Sequence, residues 1–379
     1  MFDEDNAEWA QLRAQVRQRL DDRAWDAARR TTLNAHYSPA EVVEQVWATV
    51  GALGFAGGRV LEPGCGSGNF IGLAPAGADL DVVGVELDPT TARIASALYP
   101  HADIRAEGFE RSRFPRDSFD LVVGNVPFAK VVLHDPAHNS ARLSLHNHFI
   151  VKSLDLTHPG GVVAVVTSRF TLDARNPAAR REIADRADLL GALRLPAGAL
   201  RAAAGTDAVS DLVILRRREP DRSPRAGLWE RSILLGVDGG EIPINEYFVR
   251  HRERVLGQLV AGGGQYSQVD LQVRADPDRP LAPALAEALP PSWPMPGPRA
   301  WCGRRGRQPA RPPGCARGQW TCCSPTTRRA ASSASARAVS TASSTERRSP
   351  TPSPPARTPA SCEPWSDCAT PWLTSSTWR

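Results

Sequence analysis

Lysine is almost missing from this chain of 379 residues: of 46 basic side chains only Lys130 and Lys152 are lysines, the arginine-heavy usage expected of a GC-rich gene. Cysteine is nearly as scarce before residue 290, where Cys65 stands alone among the seven in the chain. A single thiol excludes a disulfide framework and fits a reducing cytoplasm. No apolar run reaches membrane-spanning length, and no basic–apolar leader opens the chain, so a cytoplasmic protein without a membrane segment is expected. The last absence is local. From residue 290 onward there is one Val and one Leu, with no Ile, Phe, Tyr or Lys, beside 13 Arg, 3 acids, six Trp and six Cys.

Such a segment cannot bury enough apolar surface to offset its ordering entropy, so residues 290–379 are expected to form a disordered, basic, low-complexity tail. Its charge can be read as a nucleic-acid arm. Its composition fits better the out-of-frame reading of a GC-rich gene, a frameshift that would cut a longer protein short. The tail cysteines lack paired spacing with histidine, so no metal site is expected there. Removing the tail leaves 33 basic and 38 acidic residues, a body of about −5 that the overall +5 conceals.

In the body, residues 5–30 carry Trp9, Leu12, Val16, Leu20 and Trp25 near helical spacing, and residues 1–30 read as an N-terminal helix. From Val60 onward, seven short apolar runs alternate with helical stretches: RVLEPG, DVVGVEL, DIRAEG, FDLVVGN, GGVVAVVTS, LLGALRL and DLVILRR. Such alternation predicts an α/β fold with a mostly parallel sheet. The last two runs lie too close for a full crossover helix, so an antiparallel edge is expected. Residues 31–220 would form this domain. Residues 221–289 would form a small α/β appendage, a strand–strand–helix unit ending in a Gly-rich linker.

The first run ends in Glu62-Pro63-Gly64-Cys65-Gly66-Ser67-Gly68-Asn69. Glycines at alternate positions permit a tight turn and close approach of a cofactor to the backbone. The next strand ends in Glu86, a carboxylate able to accept both hydroxyls of a ribose. A dinucleotide fingerprint would require glycine at position 69, which is asparagine, and Glu62 suits an amino-acid ammonium better than a pyrophosphate. An ordinary strand–helix turn is the third reading. The register of Glu62, Gly64, Gly66, Gly68 and Glu86 favours S-adenosylmethionine (SAM).

These residues resemble the first two motifs of amino-group DNA methyltransferases, Rossmann-like SAM-dependent enzymes. Upstream, His36-Tyr37-Ser38-Pro39-Ala40-Glu41-Val42-Val43 resembles the segment that covers the methionine end of SAM; Ser38 capping a helix with Pro39 at its first position is the plainer reading, and both can hold at once. This motif order is that of the gamma arrangement of N6-adenine enzymes of restriction–modification type, as found in helicase–methylase fusions. The resemblance covers roughly residues 30–220.

It implies a catalytic tip at Asn125-Val126-Pro127-Phe128. Asn125 would accept one hydrogen of the target amine through its amide oxygen, residue 126 would accept the other through its carbonyl, and Phe128 would stack on a flipped adenine. The family usually has proline where Val126 stands. Valine keeps the carbonyl but gives up a fixed φ, which leaves an active enzyme and a decayed, SAM-binding remnant as alternatives. On this reading Val126→Pro should hold or raise turnover. Glu107 would accept from the adenine amine of SAM, while Phe109 reads equally as core or as a ring contact.

Weaker signals are His146 and His148, whose spacing puts them off one helix face, so no metal is expected. Residues 130–145 read as a mobile loop over the substrate. Gly205-Thr206-Asp207 resembles a late segment of type I modification subunits, with Leu200 where an aromatic residue is usual. Arg169, Arg175, Arg180, Arg181 and Arg216–Arg218 read as phosphate contacts or as solvated ends. The expected partner is DNA, gripped with help from a helicase or specificity domain that this chain lacks. Transfer to an RNA amine or a protein glutamine is the rival activity.

Overall fold

The computed structural model describes residues 9–34, 38–200, 208–224, 227–237, 240–262 and 270–289, all within one compact unit. A second unit, 306–375, lies outside the described residues, as does the whole basic tail.

Seven strands form the main sheet: β1 (Gly57–Pro63), β2 (Asp79–Glu86), β3 (Asp103–Ala106), β4 (Phe119–Asn125), β5 (Thr157–Ser168), β6 (Ala187–Arg194) and β7 (Ser210–Arg217), in the order β3-β2-β1-β4-β5-β7-β6. Pairing is parallel from β3 through β5, and β7 runs antiparallel to both β5 and β6. The expected antiparallel edge is present, with the reversed strand second from the edge. The order reverses between β1 and β4, the switch point at which open α/β sheets open a crevice at their C-terminal edge.

The central strands are Val- and Leu-rich because both faces are covered. On one face Leu121, Val123, Val162, Ala164 and Val166 pack with Val42, Val46, Trp47 and Val50 of a helix spanning Ala40–Ala52. On the other, Leu61, Val122, Val163 and Val165 pack with Phe149, Ile150 and Leu154 of a helix spanning Leu145–Leu156. Successive strand residues alternate between the two helices, as a pleat requires.

The N-terminal helix is broken into Ala10–Arg17 and Asp22–Asn34. The break has a local cause: Asp21 accepts the Ala24 amide through Oδ1 at 2.7 Å and starts a new helix. Beyond the sheet, β8 (Ser232–Val237) pairs with β9 (Gly240–Asn245), and β10 (Gln258–Gly262) pairs with β11 (Asp270–Arg274). Most of the Gly-rich linker read from the sequence, residues 263–269 between β10 and β11, lies outside the described residues. Ile242, Ile244, Phe248, Leu271 and Val273 join the same core cluster as the Leu145–Leu156 helix, and Leu285 of a closing helix, Leu281–Ala288, joins the cluster on the opposite face.

An internal ion network fastens this part to the sheet. Arg194 bonds Asp211 at 2.8 and 2.9 Å and Asp173 at 2.9 Å, all three wholly buried. Asp173 also receives Arg169, which pairs with Asp270 at the start of β11.

Candidate active site

The turn after β1 takes its shape from three glycines with left-handed φ, +70° at Gly64, +56° at Gly66 and +88° at Gly68, a region that penalises any Cβ. A short helix starts at Asn69. The turn is pinned to the tip of β2: Cys65 donates to the Val85 carbonyl at 2.9 Å, and Gly66 donates to Glu86 Oε2 at 2.9 Å. The other oxygen of Glu86 accepts the Asp88 amide at 2.9 Å. Burial raises the Glu86 pKa, partly offset by these two amides. Each oxygen keeps a second lone pair for a hydroxyl donor.

Glu62 lies beneath the turn with only 3% of its surface exposed. Burial pushes its pKa well above the usual carboxylate range; the amides of Phe70 and Ile71 pull it back in part, and Glu86 adds repulsion. Its Oε2 is buried without a hydrogen-bond partner. A buried carboxylate oxygen left open in this way fits a cation. Ser38 contributes a second open group. Its Oγ is buried and unpartnered, while its carbonyl accepts Asn69 Nδ2 at 3.1 Å. The capping role read for Ser38 is corrected: the helix Ala40–Ala52 is capped at Pro39, whose carbonyl accepts the Val42 and Val43 amides. Tyr37 and Gly205-Thr206-Asp207 lie outside the described residues.

Asn125 ends β4, paired with Val166 of β5 and half-buried. The ladder continues one residue further, because the Val126 amide donates to the Val166 carbonyl at 3.0 Å, and the Val126 side chain is fully buried in the core. Pro127 and Phe128 follow, both half-buried, with Phe128 packed against both layers. The two loops abut: a Cβ built on Gly64 would lie 3.6 Å from Pro127 Cδ, and one on Gly124 would lie 3.5 Å from Glu62 Cγ. The glycine turn, Glu62, Glu86 and Asn125–Phe128 thus gather at one edge, on either side of the switch point. Glu107 is half-buried just past β3, beside the tip of β2.

Other residues are relocated. Phe109 is core, 2% exposed, with its ring centroid 4.9 Å from that of Phe149. Arg169, Arg180 and Arg218 are not phosphate contacts but buried struts: Arg180 donates to the carbonyls of Leu172, Ala174 and Glu230, and Arg218 to those of Ala184, Asp185 and Ala187. Arg216 and Arg217 lie at the far edge of the sheet, because β7 is reversed. Arg175 and Arg181 remain exposed.

The segment read as a mobile loop is anchored. Asp135 accepts from buried Lys152 at 3.0 Å and faces His148 Nε2 at 3.1 Å, while Asn139 bonds the backbone of Leu133 and Leu143. Lys152 also donates to the carbonyls of Phe109 and Ser112. The only sequence signal for this anchor was the rarity of lysine. His146 is buried, which lowers its pKa to about 4, and Ser144 Oγ lies 3.2 Å from its Nε2. Among the described residues no group of three His, Cys, Asp or Glu side chains is placed to hold a metal, and no helix is long and apolar enough to cross a membrane.

The sheet and its edge define a class: a Rossmann-like α/β domain with a glycine turn at its switch point. Residues 61–143 match the methyltransferase domain family model. The chain is 30% identical over 211 residues to the defense against restriction protein B of Escherichia phage P1, covering 54% of this chain and 9% of that protein. It is 25% identical over 312 residues to the type II methyltransferase M.XamI of Xanthomonas campestris pv. amaranthicola, covering 67% and 56%. A third relative is the rRNA N(6)-adenosine-methyltransferase metl-5 of Caenorhabditis elegans, 28% identical over 130 residues and covering 32% and 56%. The chain thus spans from about a tenth to just over half of the length of these relatives.

Proposed function

We propose that residues 31–220 transfer a methyl group to the exocyclic amine of an adenine flipped out of DNA. The observation that supports this reading is the abutment of Asn125–Phe128 on the glycine turn through Pro127 and Gly64; on this reading the first is the amine acceptor site and the second the methyl-donor site. Bound SAM supplies a methyl group on a sulfonium, ready for attack by a nucleophile.

The chain's own residues prepare that nucleophile. The amine of adenine is a poor one, because its lone pair is delocalised into the ring. The Asn125 amide oxygen and the Val126 carbonyl accept its two hydrogens and draw the nitrogen toward sp³ character. Such acceptors strengthen as positive charge develops, so they favour the transition state over the ground state. Phe128 stacks on the base. Glu62 would hold the cationic methionine end of the cofactor beside Ser38, and Tyr37, the residue before Ser38, belongs to the same segment by resemblance alone. Gly64, Gly66 and Gly68 admit the cofactor to the backbone, Glu86 takes the ribose, and Glu107 takes the adenine amine of SAM.

The body's net charge of about −5 gives little grip on duplex DNA. A helicase or specificity partner supplies that grip on this reading, and residues 221–289 act as a small appendage to the catalytic domain. The rRNA enzyme among the relatives favours RNA adenine as a second reading. Tritiated SAM offered with plasmid DNA, RNA and protein separates them. Label in DNA that disappears with Asn125→Ala supports the proposal, and label in RNA alone transfers it to the second reading. SAM binding without transfer to any substrate would leave a cofactor-binding remnant.

A further inference from the structure

Three of the large apolar side chains that stay exposed follow the tips of two neighbouring strands. Val131 and Val132 come after β4, and Phe170, 38% exposed, comes after β5. Asn125 pairs with Val166, so Phe170 follows, four residues on, the strand that neighbours the proposed catalytic asparagine. Its ring does not dangle. The Arg169 guanidinium lies 4.2 Å from the ring centroid, and Arg169 is itself buried and gripped by Asp173 and Asp270. The Phe170 amide donates to Ser168 Oγ at 3.3 Å. One side of the ring is backed by a fixed cation, and enough of the remainder meets solvent to count as exposed.

An aromatic ring fixed on one side and open on the other, at the rim of the proposed catalytic edge, is suited to stack on a ligand ring. Extruding a base leaves its neighbours on the strand unstacked, and a rigid aromatic ring replaces that lost stacking without regard to sequence. We propose that Phe170 is a second aromatic contact for the nucleic-acid substrate, stacking on a base adjacent to the flipped adenine. The guanidinium of Arg169, the ring and the base would form one continuous stack. Exposed Arg175, five residues on, lies in the same segment to meet the phosphate backbone. This inference rests on the proposed function.

The test uses the full chain, with a fluorescent oligodeoxyadenylate and an abasic oligomer of equal length as probes, and plasmid DNA as methyl acceptor. Phe170→Ala is expected to weaken oligodeoxyadenylate binding about tenfold, to raise KM for plasmid DNA more than it lowers kcat, and to leave abasic binding and SAM affinity unchanged. Phe170→Trp should retain binding. An alanine variant that binds both oligomers like the parent, or loses both equally, overturns the inference. So does a parent that methylates DNA beside an alanine variant with the same KM, in which case the proposed function stands. A parent that binds SAM and methylates no DNA overturns both.

Discussion

The Val126 amide donates to the Val166 carbonyl at 3.0 Å, which extends the β4–β5 ladder one residue past Asn125. This bond reverses the expectation for proline at position 126. Proline has no N–H to give and would leave a buried carbonyl short of a partner, besides disturbing a valine that packs in the core. Val126→Pro should therefore cost about 1–3 kcal/mol of stability and should not raise turnover. Thermal melts and single-turnover methylation measure both effects. A variant that is as stable as the parent and faster would return the proline argument to favour.

Asn125→Ala should bind SAM with the parent's affinity and lose DNA methylation by roughly a hundredfold or more, as expected when a transition-state hydrogen-bond acceptor is removed. Calorimetry and tritium transfer report the two halves separately. Residual activity close to the parent's would show that another group receives the amine.

Glu86→Ala should weaken SAM by about 1–3 kcal/mol, the loss of charge-assisted hydrogen bonds to a ribose. Unchanged calorimetric affinity would remove Glu86 from the cofactor site.

Glu62 makes a prediction about pH. Burial raises its pKa above the ordinary glutamate value of about 4.5. Below that value the carboxyl is protonated both folded and unfolded, and burial adds no penalty. As pH rises, the unfolded chain ionises first and the fold loses stability until the raised pKa is passed. Without cofactor, Glu62→Gln should therefore melt higher than the parent at about pH 8 and match it near pH 4, while binding SAM more weakly. Melts across pH decide it; a variant less stable at high pH would mean that the Phe70 and Ile71 amides outweigh the burial of the charge.

Lys152→Met should cost about 3–5 kcal/mol, because it removes the cation from the buried Asp135 carboxylate and the donor from the Phe109 and Ser112 carbonyls. Adding Asp135→Asn should restore part of the loss. A double variant as unstable as the sum of the singles would deny the coupling.

The parts of the site legible in the sequence are contiguous ones. Gly64, Gly66 and Gly68 declare a left-handed turn by residue type alone, and Asn125-Val126-Pro127-Phe128 declares a strand tip because a buried run precedes it. What stayed hidden depends on partners distant in sequence. Arg218 meets the carbonyl of Ala184, and Lys152 meets Asp135, so their charges read on paper as surface. The fate of Val126 was hidden for the same reason, since its bond goes to a residue forty positions on. Ser38 looked like a cap because Ser-Pro is a common helix start, yet Pro39 took the capping position.

The five-membered network of Arg169, Asp173, Arg194, Asp211 and Asp270 has a consequence for how this sequence can drift. Losing Arg194 leaves the buried Asp211 and Asp173 carboxylates short of their cation at a cost of about 3–5 kcal/mol, whereas exchanging the group for apolar residues of similar volume is often neutral. Single replacements are selected against and joint ones are not, so homologous chains should carry the set whole or lack it whole. A lineage that has lost it should also hold the β10–β11 hairpin less firmly, since Asp270 is its tether at the first residue of β11.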